Sequence, residues 1–375
     1  MLIYGTSKKV LKMKVSNTIV WGCGALAVLL GAWVLMTLPS DSADIEFNVG
    51  TYGQYIYRCS IDTETFEFSI IDKVEAHNAS YVIDEGDHIY AVSETGNGSG
   101  AYSFADAETM TLTADKRQTG ADPCFIMAYD GKVLTADYSG GSISVFPLEN
   151  GILADCTQRL EFQGNGPVEG RQESSHIHQL KQIPGTDWIL ASDLGADVIR
   201  LVRFDEGTLV HVADIPCPAG SGPRHMEFNE AADKLYCIAE LSGEVLVYDI
   251  CTSCDAPTFA HVQSIQADEV DAGGSADIHM HPNGKYLYTS HRLKNDGISV
   301  FAVGEDGLLE KISYTHTGLH PRNFLITPDG KLLLVTSMHD NQVHVFRITK
   351  DGTLSLIDAL IRFDSDQPSC LTLAK

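Results

Sequence analysis

Positive charge is scarce in this 375-residue chain: 26 Lys and Arg stand against 50 Asp and Glu, for a formal net charge of -24. A surface so poor in cations cannot follow a phosphate backbone, which excludes nucleic acid as a partner. It also repels anionic metabolites over most of its area, so an anionic substrate would need a local funnel of cations. The plain alternative is that the acidity serves solubility. Catalytic signatures are missing as well. The sequence has no G-x-S-x-G, no P-loop and no H-E-x-x-H, so covalent serine chemistry and zinc-peptidase chemistry have no support. The chain has one CxxC, Cys251-Thr252-Ser253-Cys254, and no second one to complete a zinc site. A local disulfide in an oxidising compartment and a chance spacing fit it equally well. Cys59, Cys124, Cys156, Cys237 and Cys370 stand alone in strand-like runs and read as small buried hydrophobes.

The run that is both long and apolar is Thr18 to Leu38, with Lys8, Lys9, Lys12 and Lys14 before it and Pro39 to Asp44 after it. It is long enough to cross a bilayer, with the basic flank on the cytoplasmic side. Residues 1–42 are therefore expected to form one hydrophobic helix, either a cleaved export signal or a retained membrane anchor, that places the protein in the cell envelope. Membrane contact is expected through this segment alone. A start at Met13 would shorten the basic flank without removing it, and a start-site artefact would leave the protein cytoplasmic.

From residue 43 onward the chain repeats. Pro282-Asn283-Gly284-Lys285 precedes Tyr286-Leu287-Tyr288, and Pro328-Asp329-Gly330-Lys331 precedes Leu332-Leu333-Leu334. Looser copies start at Asp130, Gly185 and Ala232, and an eroded one lies at Asp84 to Asp87. Each leads into alternating apolar strands such as Ser142 to Phe146 and Ile298 to Phe301. A period of roughly 40–55 residues with several short strands per unit predicts an all-β fold, a β-propeller. First strands phase at Tyr81, Phe125, Gln179, Met226, Ile278, Phe324 and Leu371. Because the last unit is a stub, Tyr55-Ile56-Tyr57 is expected to fill its second slot and Thr65 to Ile70 its third. Both termini then share the closing blade of a seven-bladed ring. Six blades is the competing count.

A proline precedes several first strands, at Pro123, Pro223, Pro321 and Pro368, where proline is tolerated. The slot after it holds Cys124, Arg224, Arg322 and Ser369. In a propeller the first strand lines the channel, so polar residues that break the repeat near it, or near the end of the second strand, are the site candidates. His176-Ile177-His178 could present two imidazoles to one side, as metal ligands, as one acid/base group, or merely as hydrogen-bonded side chains. Arg224 could bind an anion or a developing oxyanion, or simply pack on a neighbouring blade. Glu240 ends the run Leu235 to Ala239, either paired with an arginine or free to activate water. Glu94 holds the matching position of its own unit, where the recurrence favours a structural role. Arg292 reads as one residue beyond that slot. His178, Arg224, Glu240 and Arg292 come from three consecutive units and are expected to converge at one channel mouth.

These residues also carry a family likeness. Val49-Gly50-Thr51-Tyr52, the run Ala136 to Phe146, His176-Ile177-His178 and Asp193-Leu194-Gly195-Ala196-Asp197 follow one another in order. Gly222-Pro223-Arg224-His225, Glu240-Leu241-Ser242, His281 to Tyr288 and Pro321-Arg322-Asn323-Phe324 complete the series. With them the chain resembles the lactonase, or cycloisomerase 2, family of seven-bladed propellers, which includes 6-phosphogluconolactonases and carboxy-cis,cis-muconate lactonizing enzymes. The resemblance covers Phe47 to Lys375 and implies a metal-independent, cofactor-free site built from a His, two Arg and a Glu, here His178, Arg224, Arg292 and Glu240. The expected activity is hydrolysis of a sugar lactone, phosphorylated or not. Arg224 and Arg292 would hold the substrate anion or the oxyanion, Glu240 would be the general base and His178 the general acid, with His176, His225 and Arg322 as substrate contacts. Asp137 stands where the family usually has Asn, and His291 where it usually has Asn before the Arg. A non-catalytic envelope propeller used for binding or scaffolding is the alternative function. A calcium-dependent six-bladed gluconolactonase would need clustered Glu, Asn and Asp ligands, and the sequence offers none.

Overall fold

The turn Pro282-Asn283-Gly284-Lys285 closes with the Gly284 N–H donating to the His281 carbonyl at 2.8 Å, and Gly330 makes the same bond to Thr327 at 2.8 Å. Both glycines sit at positive φ, +69° and +70°, a region that side chains penalise. Each turn reverses a first strand into a second, and the reversal recurs around the molecule. The structure, a computed structural model, describes residues 44–375 apart from 97, 106–108, 253 and 254. The hydrophobic helix and anchor expected over residues 1–42 lie outside the described residues. So does Cys254, and with it the question of a Cys251–Cys254 bond.

Seven antiparallel sheets form, each laid down from its first strand outward. Blade 1 holds Val82–Asp84, His88–Ser93, Gly100–Ala105 and Thr111–Lys116. Blade 2 holds Pro123–Tyr129, Lys132–Asp137 and Ser142–Glu149, with its outer edge split into Ile152–Leu153 and Gln158–Glu161. Blade 3 runs from Ile177–Gln182 through Trp188–Asp193 and Val198–Asp205 to Thr208–Pro216, and blade 4 from Pro223–Phe228 through Lys234–Ala239 and Glu244–Cys251 to Thr258–Gln266. Blade 5 comprises Ser275–Met280, Tyr286–His291, Gly297–Val303 and Leu309–His316. Blade 6 comprises Pro321–Ile326, Leu332–Ser337, Gln342–Ile348 and Leu354–Arg362. First strands of successive blades touch, and the first strand of blade 7 touches that of blade 1, so the ring is closed. The count is seven, and six is excluded.

Blade 7 joins Pro368–Leu373 to Ile45–Thr51, Tyr55–Ile61 and Phe68–Glu75. Both termini build it, but the expected slots were one strand out. Ile45–Thr51, not Tyr55-Ile56-Tyr57, is the second strand, pairing Val49 with Leu371. Tyr55–Ile61 is the third strand and Phe68–Glu75 the fourth. Ile45, Phe47 and Val49 alternate with Glu46 and Asn48, so this strand lacks the unbroken apolar run of the other second strands. Asp366 ties the seam by accepting from Gln54 N–H at 3.0 Å and from Tyr57 Oη at 2.8 Å.

Second strands lie between neighbouring sheets and are buried on both faces, as in Trp188–Asp193, whereas the outer strand Thr258–Gln266 is largely exposed. Doubly covered strands read as unbroken apolar runs, which explains their clarity in sequence. The core is a set of inter-blade layers: Tyr236, Ile238 and Val247 of blade 4 meet Ile278, Leu287 and Phe301 of blade 5. A tyrosine at the third position of the second strand ties each of three blades to the outer hairpin of the next. Tyr90 donates to Gly151 O, Tyr236 to Gly307 O and Tyr288 to Gly352 O, each at 2.8 Å.

Candidate active site

The residue that follows each second strand comes back to one rim of the channel. Around the ring these residues are Glu94, Tyr138, Leu194, Glu240, Arg292, Met338 and Tyr52. Five of them, Tyr52, Glu94, Tyr138, Glu240 and Arg292, line a cavity of about 220 Å³ together with Cys124, Arg171, His178 and Arg322. Arg292 thus occupies the matching slot itself, directly after Tyr286–His291, and not one residue beyond it. A wider groove of about 570 Å³ between the outer strands of blades 6 and 7 has only carboxylates, Glu67 and Asp358, for charged lining, and brings no acid and base together.

Glu240 is the hub. Its Oε1 accepts from Arg171 Nη2 at 2.6 Å, while its Oε2 lies 2.8 Å from Arg224 Nε and 3.2 Å from Arg292 Nη2. The Arg224 contact is off the N–H axis, so Nε makes a Coulombic contact there and not an aligned hydrogen bond. Burial by itself would raise the Glu240 carboxyl, but the guanidiniums of Arg292, Arg224 and Arg171 outweigh it and hold the carboxyl at about 2. Arg224 is 2% exposed and anchors Nη1 on the Ala276 carbonyl at 2.6 Å. Arg292 donates from Nε to the Gly274 carbonyl at 2.9 Å. The histidine before it does not disturb this, because His291 is buried between Ser275 Oγ and Thr289 Oγ1, each at 2.8 Å.

Local sequence explains these placements. Gly222 has φ +64°, and a Cβ there would meet Leu241 Cγ at 2.6 Å. Its carbonyl accepts the Glu240 N–H at 2.7 Å, so the turn before Pro223-Arg224 and the end of the neighbouring strand are locked together. Asp197 accepts from Gly220 N–H at 2.6 Å, Gly222 N–H at 2.8 Å and Gln172 Nε2 at 2.8 Å. One carboxylate therefore fixes both the loop that carries Arg171 and the turn that carries Arg224.

Arg322 differs from the other three arginines. Its guanidinium stands 5.1 Å from the Tyr52 ring centroid, and among the described residues no carboxylate or carbonyl bonds it. His178 is 4% exposed, with Nδ1 enclosed and unpartnered. Burial first, then Arg224, His225, Arg322 and Arg292, hold its pKa well below the usual histidine range, so the ring is neutral.

His176 and His225, expected as substrate contacts, and Arg224, expected as a catalytic group, are not among the cavity-lining residues; Arg224 reaches the site through its contact with Glu240. His176 stacks on Tyr138 at 4.4 Å and donates from Nδ1 to the Tyr138 carbonyl at 2.9 Å, so it supports the wall from behind. His225 lies beside the site with its ring 5.1 Å from that of His178 and Nδ1 bonded to Asp277 at 2.7 Å. The strand pairing skips Arg224, a β-bulge between Pro223 and His225 that sets its side chain apart from the regular alternation. Sequence reasoning missed Tyr52, Cys124, Tyr138 and Arg171 and gave Glu94 a structural role. The slot after each second strand could have found Tyr52 and Tyr138, whereas Arg171 sits in an irregular insert between blades 2 and 3 with no repeat position.

Four guanidiniums thus meet two carboxylates, Glu94 and Glu240, at one end of the channel of a protein whose net charge is -24. Among curated relatives, a 6-phosphogluconolactonase of Formosa agariphila is 31% identical over 314 residues, covering 79% of this chain and 88% of that protein. A 6-phosphogluconolactonase of Bacillus subtilis is 30% identical over 335 residues, covering 84% and 94%. A crystal structure from Bacteroides fragilis, of a protein provisionally assigned as a 6-phosphogluconolactonase, superposes with a TM-score of 0.83 at 35% identity, covering 90% of this chain and 99% of that one. Residues 46–373 match the family described as lactonase, 7-bladed beta-propeller, and the chain belongs to that family.

Proposed function

We propose that the protein is a lactone hydrolase that opens the ring ester of a sugar lactone bearing an anionic group, at the channel mouth and without a metal. The observation that carries this reading is Arg322, an unpaired guanidinium in a cation-rich cavity of about 220 Å³, on an otherwise strongly acidic molecule. Such a pocket attracts a phosphate or carboxylate that the rest of the surface repels. The names of the Formosa agariphila and Bacillus subtilis relatives point to the same chemistry.

Lactones are reactive esters, so orientation and electrostatic stabilisation supply most of what is needed. Arg322 takes the substrate's anionic group. Arg292, held together with Arg224 on Glu240, stabilises the carbonyl oxygen as it gains charge. Two roles read from the sequence change here. A neutral His178 has no imidazolium proton to give, so it acts as a hydrogen-bonding group that orients water or substrate. Glu240, clamped by three guanidiniums, is a weak base and serves to align them.

The test is hydrolysis by the purified protein of a panel of sugar lactones with and without phosphate, in the presence of a chelator. Chelator-resistant turnover of the anionic lactones is the expected result. Binding without turnover across the panel would favour the scaffold reading, and loss of activity with chelator would remove the metal-free mechanism. We further propose an envelope location, on the strength of the basic and apolar residues 1–42, to be checked by cell fractionation.

A further inference from the structure

Opening the ring requires a group that removes a proton from the attacking water, and Glu240 is committed to its arginines. Glu94 occupies the same slot in blade 1 that Glu240 occupies in blade 4, and lines the same cavity. Its surroundings are different. Tyr52 Oη donates to Glu94 Oε2 at 2.7 Å and Ser80 Oγ donates to the same oxygen at 2.5 Å. Among the described residues no arginine or lysine pairs with Glu94, and nothing bonds its Oε1. Two hydroxyl donors on one oxygen fix the plane of the carboxylate and leave the other oxygen free. A carboxylate serving only the fold would be expected to use both oxygens in so arginine-rich a place. The pair of carboxylates is thus divided by environment, one locked in ion pairs and one held by neutral donors, which is how acid and base roles separate in enzyme sites.

We propose that Glu94 is the catalytic base of this site, a role that rests on the lactone-hydrolase reading. A water O–H bond breaks and its proton passes to Glu94 Oε1. The water oxygen bonds to the lactone carbonyl carbon, and the C=O π pair moves onto the carbonyl oxygen, where Arg292 of the cavity wall faces it. When the carbonyl reforms, the bond from that carbon to the ring oxygen breaks, and the ring oxygen takes the proton back from Glu94. The net reaction is lactone plus water to hydroxy acid, with Glu94 regenerated. Tyr52 and Ser80 are positioning residues for this carboxylate.

The experiment compares the full-length wild type, Glu94→Gln and Glu94→Ala, using whichever lactone of the panel the wild type turns over. Glu94→Gln keeps the size and one acceptor for Tyr52 and Ser80. It should lower kcat by about 10²- to 10⁴-fold while KM stays within a few-fold. Added formate should restore part of the kcat of Glu94→Ala by replacing the lost base, which a purely structural loss would not allow. Wild-type kcat in Glu94→Gln, or absence of formate rescue in a folded Glu94→Ala, overturns the assignment. A wild type that hydrolyses no lactone overturns the proposed function instead, so the two failures are distinguishable.

Discussion

Arg224 Nε lies 2.8 Å from Glu240 Oε2, and the two side chains are 2% and 9% exposed. With Arg292 Nη2 at 3.2 Å from the same oxygen, one carboxylate separates two buried cations that would otherwise repel each other. Glu240→Gln should therefore damage the fold and the site together. Breaking a buried ion pair from one side costs about 3–5 kcal/mol, which a denaturant melt will register, and turnover should fall with it. Adding Arg224→Met to that variant should recover part of the stability and none of the activity.

Asp137 is a carboxylate placed at a disadvantage. It is fully buried, and burial raises its pKa from 3.8 to about 6 despite donors from Ser144, Thr135, Ser142 and the Gly120 N–H. An acid with a raised folded pKa holds its proton more tightly when folded. Its contribution is complete below the unfolded value and is lost as pH climbs through about 6. Asp137→Asn cannot ionise, and its amide can face Thr135 Oγ1. It should leave stability near pH 4 unchanged and raise it at pH 7–8, by at most about 3 kcal/mol. Melts of both proteins across that range will check it.

Asp197 couples two loops that the repeat does not couple. Asp197→Ala leaves the N–H groups of Gly220 and Gly222 without their acceptor and takes from Gln172 Nε2 one of its two, the Leu194 carbonyl remaining, at a cost of about 1–3 kcal/mol. Arg171 and Arg224 then lose their common brace. Misplacement of such groups by about an ångström lowers kcat/KM roughly 10²-fold, so the kinetic effect should exceed the loss of stability.

Arg322 should govern charge selectivity. Because it pairs with no carboxylate, Arg322→Gln leaves no buried partner stranded, and the fold should be unaffected. A hydrogen bond to a charged group contributes about 1.5–3 kcal/mol, so KM for an anionic lactone should rise about 10- to 10²-fold. An uncharged lactone should show little change in a side-by-side assay.

The ring was legible because six of its seven blades write the same physics: a turn such as those at Gly284 and Gly330, then a doubly buried strand such as Leu332–Ser337. Legibility fades where the chain leaves that pattern. Ile45–Thr51 carries Glu46 and Asn48 and so lacks the continuous apolar run that marks the other second strands. In the site, His178, Arg224, Glu240, Arg292 and Arg322 announced themselves as polar residues in apolar slots. Their roles did not follow, because a role depends on partners from other blades. Nothing in the sequence says that Glu240 meets Arg171 from a remote loop, or that Glu94 meets Tyr52 and Ser80. His225 shows the opposite error: next to Arg224 in sequence, it faces Asp277.

Tyr52 reaches Glu94 only from Ile45–Thr51, a strand held on its inner side by Pro368–Leu373. Strands from opposite ends of the described chain are thus neighbours at the candidate site. A chain without Pro368–Leu373 leaves Ile45–Thr51 unpaired on its inner side, so Tyr52 is not held in place until that strand has joined the blade. Truncations that remove Pro368–Leu373 should abolish activity as thoroughly as loss of an arginine.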